Sequence, residues 1–157
     1  MTDTVNIETV FHAPIDSVWK AWTEPLVILK WFGSDPNGEG VKAEMDVRPG
    51  GSFMICFKNS DNSEHTCFGV YKEVYNDRRL SFTWEWKSEP GVESLVTVIL
   101  SPANDDTKMS FEHANVGTAS AHNYLAGWKA TFEKLERILT SKLFNSSVRI
   151  RLLTPDL

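Results

Sequence analysis

Residues 79–87 read RLSFTWEWK. Leu80, Phe82, Trp84 and Trp86 share one parity, and Ser81, Thr83, Glu85 and Lys87 share the other. A strict period of two marks a strand with one buried and one wet face. Residues 108–113, KMSFEH, repeat the pattern, with Met109, Phe111 and His113 inward and Lys108, Ser110 and Glu112 outward.

Working outward from this strand, apolar alternation recurs over 41–48, 51–59, 64–75, 78–87, 93–101 and 107–114. The pieces NSDNSE, NDR, SEPG and ANDD separate these runs. Short strands at this spacing predict an antiparallel meander. Before it come a strand over 4–12, a helix opened by Pro14, a further helical turn or two after Pro25, and a loop over 33–40, GSDPNGEG. After it, Leu125, Trp128, Phe132, Leu135 and Leu139 recur at helical spacing. They predict one amphipathic helix over about 119–141, with Glu133, Lys134, Glu136 and Arg137 on its polar remainder.

The glycine pair in DVRPGGS, 46–52, invites a phosphate-loop reading. No Lys follows the glycines and the next run is a strand, so a hairpin turn is the better reading. Keeping acids out of the core requires an odd loop. A three-residue Pro49-Gly50-Gly51 loop would pair Val47 with Phe53 and Met45 with Ile55, with Gly51 left-handed. By the same reasoning an Asp61-Asn62 turn would set Phe53 against Val70 and Cys56 against Cys67 on the outer face. Lys72 would then point inward unless a bulge near Gly69 turned Tyr71 in. The cysteines are read as reduced and unrelated, as a redox-sensitive pair, or as part of an outer-face contact.

The chain of 157 residues is expected to form one domain over 1–142, with a tail over 143–157. The formal net charge is −5 with both signs mixed, which argues against a nucleic-acid face. No apolar run reaches membrane-spanning length and no leader pattern opens the chain. Two cysteines make no disulfide scaffold, and a cytoplasmic location is expected.

FHAPIDSVWKAWTEP, KWFG, DVRPGGSF, GVYKEV followed by RLSFTWEW, and the Gly127-Trp128 pair of the last helix occur in that order. Together they resemble the family called activator of heat-shock protein 90 ATPase homologue-like, in the START-like (SRPBCC) superfamily that includes the birch pollen allergen. The resemblance covers about residues 5–141. It implies an α+β helix-grip fold, in which a curved antiparallel sheet wraps the long C-terminal helix and two short helices follow the first strand. It also implies a cavity between sheet and helix for an apolar or amphipathic small molecule. The family name implies an alternative, a chaperone-interacting module tied to stress responses. A third reading is a cyclase-like or other enzyme on a hydrophobic substrate.

The inward aromatics then either fill the core or line that cavity. The expected ligand-binding set is Trp31, Phe32, Phe53, Ile55, Phe57, Phe82, Trp84, Trp86, Phe111, His113, Trp128 and Phe132. Trp31 and Phe32, beside the 33–40 loop, either cover the entrance or pack on the sheet edge. His113 either orients a polar end of the ligand or is a hydrogen-bonded strand-end histidine. His12, His65, His113 and His122 show no metal-ligand spacing, and no nucleophile or carboxylate pair stands out. No catalytic residue, metal or cofactor is expected. The expected partner is the apolar ligand, with a chaperone as the alternative, and the protein is expected as a monomer or homodimer.

Overall fold

The computed structural model describes residues 4–116 and 123–141. Its strands are β1 (Thr4–Phe11), β2 (Glu39–Met45), β3 (Ser52–Lys58), β4 (Glu64–Tyr75), β5 (Arg79–Trp86), β6 (Ser94–Ala103) and β7 (Asp106–Ala114). Its helices are α1 (Ile15–Thr23), α2 (Pro25–Ile28) and α3 (Tyr124–Thr140). Among the described residues the strands form one antiparallel sheet in the order β1-β7-β6-β5-β4-β3-β2. The first strand closes onto the last, as a helix-grip sheet requires. Residues 119–122 of the expected helix and the 143–157 tail lie outside the described residues.

Two short helices form here rather than one because of Pro25. The residue before a proline is pushed out of the helical region. Glu24 is accordingly extended, at φ −104° and ψ 124°, and α2 restarts with Pro25 in its first turn. Trp22, at the end of α1, sits at the centre of the core. Its ring lies 4.9 Å from Trp31, 6.2 Å from Phe111, 6.1 Å from Phe132 and 6.3 Å from Trp128. It therefore joins α1, β7 and α3 in a single aromatic cluster.

β5 obeys its alternation. Leu80, Phe82 and Trp84 are buried inward, and Trp86 is partly buried at the strand's end. The outward Ser81 and Thr83 are also buried, because cross-strand partners engage them. The Ser81 hydroxyl donates to Glu73 Oε1, and Thr83 Oγ1 accepts from the Val70 N–H. On α3, Trp128, Phe132, Leu135 and Leu139 face the sheet as expected. Lys134, expected on the polar side, is buried instead, and Nζ donates to the Asp35 carbonyl at 3.0 Å. A long side chain can bury its stem while its amine reaches a polar edge. Leu125, expected on the apolar face, is exposed.

Both hairpin registers differ from expectation. In the first, Met45 pairs with Phe53 and Ala43 with Ile55. The expected pairs are off by two residues, and an even shift leaves the faces unchanged. The connection is longer than three residues: the Asp46 N–H donates to Ser52 O, and the Gly51 N–H closes a turn onto Arg48 O at 2.8 Å. Pro49 and Gly50 are the central residues of that turn. Gly50, not Gly51, is left-handed, at φ +85°. Gly51 is required for another reason, since a Cβ there would collide with the Asp46 carbonyl oxygen.

In the second hairpin the loop is Ser60–Asn62, closed by Asn59 N–H to Ser63 O at 2.9 Å. Asn62 takes the left-handed position at φ 69°, where asparagine is tolerated. This loop is one residue longer than the expected turn, and an odd slip exchanges the faces. Cys67 consequently lies opposite Ile55, fully buried, while Cys56 lies opposite Thr66. The expected Cys56–Cys67 outer-face pair does not form. The same slip carries Tyr71 inward without help from Gly69. The bulge falls one step later, between Tyr71 and Glu73, and leaves Lys72 exposed.

These turns predict different costs. Gly50→Asn should lower unfolding free energy by under about 1 kcal/mol, because asparagine enters the left-handed region readily. Gly51→Ala should cost more than about 2 kcal/mol, because the loop must move to clear a backbone oxygen. Urea unfolding of the two variants measures the difference.

Candidate functional site

A cavity of about 430 Å³ lies between the inner face of β3–β5 and the N-terminal half of α3. The sheet contributes Phe57, His65, Trp84 and Trp86, with Asn59 from the β3–β4 hairpin. Phe32, Gly33 and Ser34 close one side, and Tyr124, Gly127, Trp128 and Thr131 form the helical wall. Asn123 and Ala126, both exposed, mark the opening to solvent. The described lining contains no Asp, Glu, Lys or Arg. Burying an ion against such a wall would cost its hydration without an opposite charge in return.

Three ties hold the walls in place. The first crosses from sheet to helix through Trp86, whose Nε1–H donates to Tyr124 Oη at 2.9 Å. The second joins the 33–38 loop to the β3–β4 hairpin. Asp35 Oδ2 accepts the Ser60 N–H at 2.8 Å and the Ser60 hydroxyl at 2.7 Å. The Ser60 N–H, the Asn37 N–H and the Ser60 hydroxyl hold the Asp35 carboxyl below the usual range. Lys134 adds α3 to this tie through the Asp35 carbonyl. Burial pushes the Lys134 amine down, and the Asp35 charge partly offsets that.

The third tie is internal. Trp128 Nε1–H donates to His113 Nδ1 at 3.0 Å, and His113 Nε2 lies 2.7 Å from Ser94 Oγ. The Ser94 hydroxyl donates to the Trp84 carbonyl at 3.2 Å. With its Nδ1 accepting and the Ser94 proton committed to Trp84, His113 must carry its hydrogen on Nε2. It is a neutral imidazole, fully buried, and burial pushes its pKa down to about 3. Both ring nitrogens are used within the protein.

The structure divides the expected ligand set. Phe32, Phe57, Trp84, Trp86 and Trp128 line the cavity. Phe53, Ile55 and Phe82 instead surround a separate void of about 10 Å³ beside Trp22, room for roughly one water molecule. Trp31 is fully buried and donates Nε1–H to the Ala21 carbonyl, so it is part of the core, not a cover over the entrance. Phe111 and Phe132 pack behind Trp128, at 4.6 Å and 5.5 Å between ring centroids. His113 stands behind the wall and orients Trp128 from there.

Sequence reasoning missed Gly33, Ser34, Asn59, His65, Tyr124, Gly127 and Thr131. The helical ones were detectable. Tyr124, Gly127, Trp128 and Thr131 recur at helical spacing, and a glycine inside a helix costs about 1 kcal/mol against alanine unless its lack of a side chain is useful. A Cβ at Gly127 would meet only Ser34 Cβ, at 3.9 Å. Among the described residues there is no cluster of His, Cys, Asp or Glu fit for a metal, and no helix is long and apolar enough to cross a membrane.

Comparison with known proteins identifies the family and the fold. The family model described as Activator of Hsp90 ATPase homolog 1-like protein matches residues 12–140. No curated protein matches the chain. A crystal structure from Nitrosomonas europaea is similar at TM-score 0.75 and 21% identity, over 88% of this chain and 95% of that one. A Rhizobium leguminosarum protein is similar at 0.73 and 25% identity, over 88% and 95% of the two chains. The solution structure of an AHSA1-like protein from Aeromonas hydrophila is similar at 0.71 and 21% identity, over 86% and 90%.

His113 makes stability depend on pH in a stated direction. Its folded pKa of about 3 lies below its ordinary 6.5, so the unfolded chain takes up the proton first. The stability is fully present above about pH 6.5 and is lost as pH falls from there toward about 3. Between pH 7 and 5.5 this single group should remove about 1 kcal/mol of unfolding free energy. Urea titrations at the two pH values should show that slope in the wild type. His113→Phe should be less stable at both and lack this group's share of the slope.

Proposed function

The chain belongs to the Activator of Hsp90 ATPase homolog 1-like family, and on that footing we propose that it binds an uncharged apolar or amphipathic small molecule between sheet and helix. The observation that carries this reading is the aromatic-walled cavity of about 430 Å³ with no Asp, Glu, Lys or Arg in its described lining. That volume falls in the range of small-molecule sites. A guest hiding about 250 Å² of hydrocarbon there gains about 6 kcal/mol before ordering costs. The rings of Phe57, Trp86 and Trp128 offer contact area with little rotamer freedom to lose, which suits a flat guest.

The chaperone-binding and enzyme readings draw less support. A module that works only through its surface needs no cavity, and a helical glycine that keeps one open would then cost stability for nothing. An enzyme needs a titratable group in the cavity, and among the described lining residues His65 and Tyr124 are the candidates. The expected cytoplasmic location and the monomer-or-homodimer state belong to the same proposal.

Gly127 supplies the test. Gly127→Leu should fill the cavity from the helix side and lower the affinity for a naphthalene-based fluorescent probe by at least tenfold. Because glycine is a poor helix former, the variant should be no less stable than wild type. Glu133→Ala, on the exposed side of the same helix, should leave affinity unchanged. Equal affinities for wild type and Gly127→Leu would place the probe elsewhere.

A further inference from the structure

The β3–β4 hairpin sets Asp61, Ser63 and His65 in a row that ends in the cavity wall. Asp61 Oδ1 accepts the Ser63 N–H at 2.9 Å and the Ser63 hydroxyl at 2.5 Å. The hydroxyl, then the N–H, hold the Asp61 carboxyl below its usual range, so the acceptor is a carboxylate. A contact this short to a charged acceptor commits the serine proton to Asp61. Ser63 Oγ also lies 3.1 Å from His65 Nε2. With its own proton spent, Ser63 Oγ can only accept there, so Nε2 must carry a hydrogen.

The Asn59 amide meets the same ring nitrogen. It lies 3.2 Å from His65 Nε2, and its Oδ1 is otherwise buried without a partner. With the Nε2 hydrogen set by Ser63, a half-turn of the amide places Oδ1 against it and avoids opposing two donors. Ser63 thus puts a hydrogen on Nε2, and in the neutral imidazole that leaves Nδ1 as a lone pair. The ring lies at 5.6 Å from Phe57 and 6.4 Å from Trp86, both in the cavity wall. Among the described residues Nδ1 has no hydrogen-bond partner, and it remains accessible.

We propose that His65 Nδ1 is the polar recognition point of the cavity, and that the ligand is an uncharged planar molecule with a hydroxyl, a phenol or an enol, donating to it. This rests on the small-molecule reading above. Asp61 and Ser63 are positioning residues: they hold the hydrogen on the far side of the ring and make Nδ1 a better acceptor. The hydroxyl meets the lone pair while the ring plane lies against Phe57 and Trp86. A ligand that presents only a carbonyl finds no donor on His65.

The test compares 2-naphthol with 2-methoxynaphthalene, which has the same rings and no donor. Wild type should bind 2-naphthol about tenfold more tightly, the size of one good hydrogen bond. His65→Phe should bind both probes with no preference, and Ser63→Ala should show a reduced preference. Long-range proton–nitrogen NMR of the wild type should find Nε2 protonated and Nδ1 bare, a readout that does not depend on any variant folding. Equal binding of the two probes by wild type, or a preference kept by His65→Phe, or a hydrogen on Nδ1, would overturn the assignment and leave the cavity standing. Failure of the wild type to bind either probe would instead remove the small-molecule reading, and this proposal with it.

Discussion

The line of hydrogen bonds from Trp128 through His113 and Ser94 to the Trp84 carbonyl sets the relation between helix and sheet. Hydrophobic contact alone would let α3 roll or slide on the sheet, because apolar attraction has little direction. A buried chain of donors and acceptors has one arrangement in which every member is satisfied, and departures leave a buried polar group unpaired. His113 occupies the middle of the chain and works only as a neutral ring. Its depth in the core supplies that condition. Trp84 and Trp128 form the floor of the cavity, so the same chain defines its shape.

Behind that floor the core is nearly all ring contact. Trp22 bridges α1 to β7 and α3, and Phe111 and Phe132 press on Trp128 from the far side. In front of it the walls are tied at their polar edges, by Trp86 to Tyr124 and by Asp35 to Ser60. The site is therefore held by a filled aromatic layer on one side and a hydrogen-bonded rim on the other. Gly127 keeps the space between them open.

Much of this was legible in the chain. The alternation in β5 and β7 assigned Leu80, Phe82, Trp84, Phe111 and His113 to the inner face, and the helical spacing of Trp128, Phe132, Leu135 and Leu139 named the face that meets them. The hairpin registers were less legible, because each depended on how many residues the loop uses. Asn62 accepts a left-handed conformation that lengthens one loop by a residue, and that single step moved Cys67 and Tyr71 inside. The division of inward aromatics between core and cavity was not legible at all. Phe53 and Phe57 have the same parity on one strand, yet Phe53 packs beside Trp22 and Phe57 lines the cavity. Side chains of α1 and α2 fill the space beside Phe53, while α3 stands over Phe57. His65 was overlooked because its significance comes from hydrogen-bond partners in its own hairpin rather than from a metal-ligand spacing.

The account stands on the guest lying between sheet and helix. Intermolecular nuclear Overhauser contacts from the protons of a bound naphthalene-based probe test this directly. They should reach Phe57, Trp86, Tyr124 and Trp128, which meet only around that cavity. Contacts to Phe68 and Val70, the exposed side chains on the outer face of β4, would contradict it and move the binding surface to the other side of the sheet.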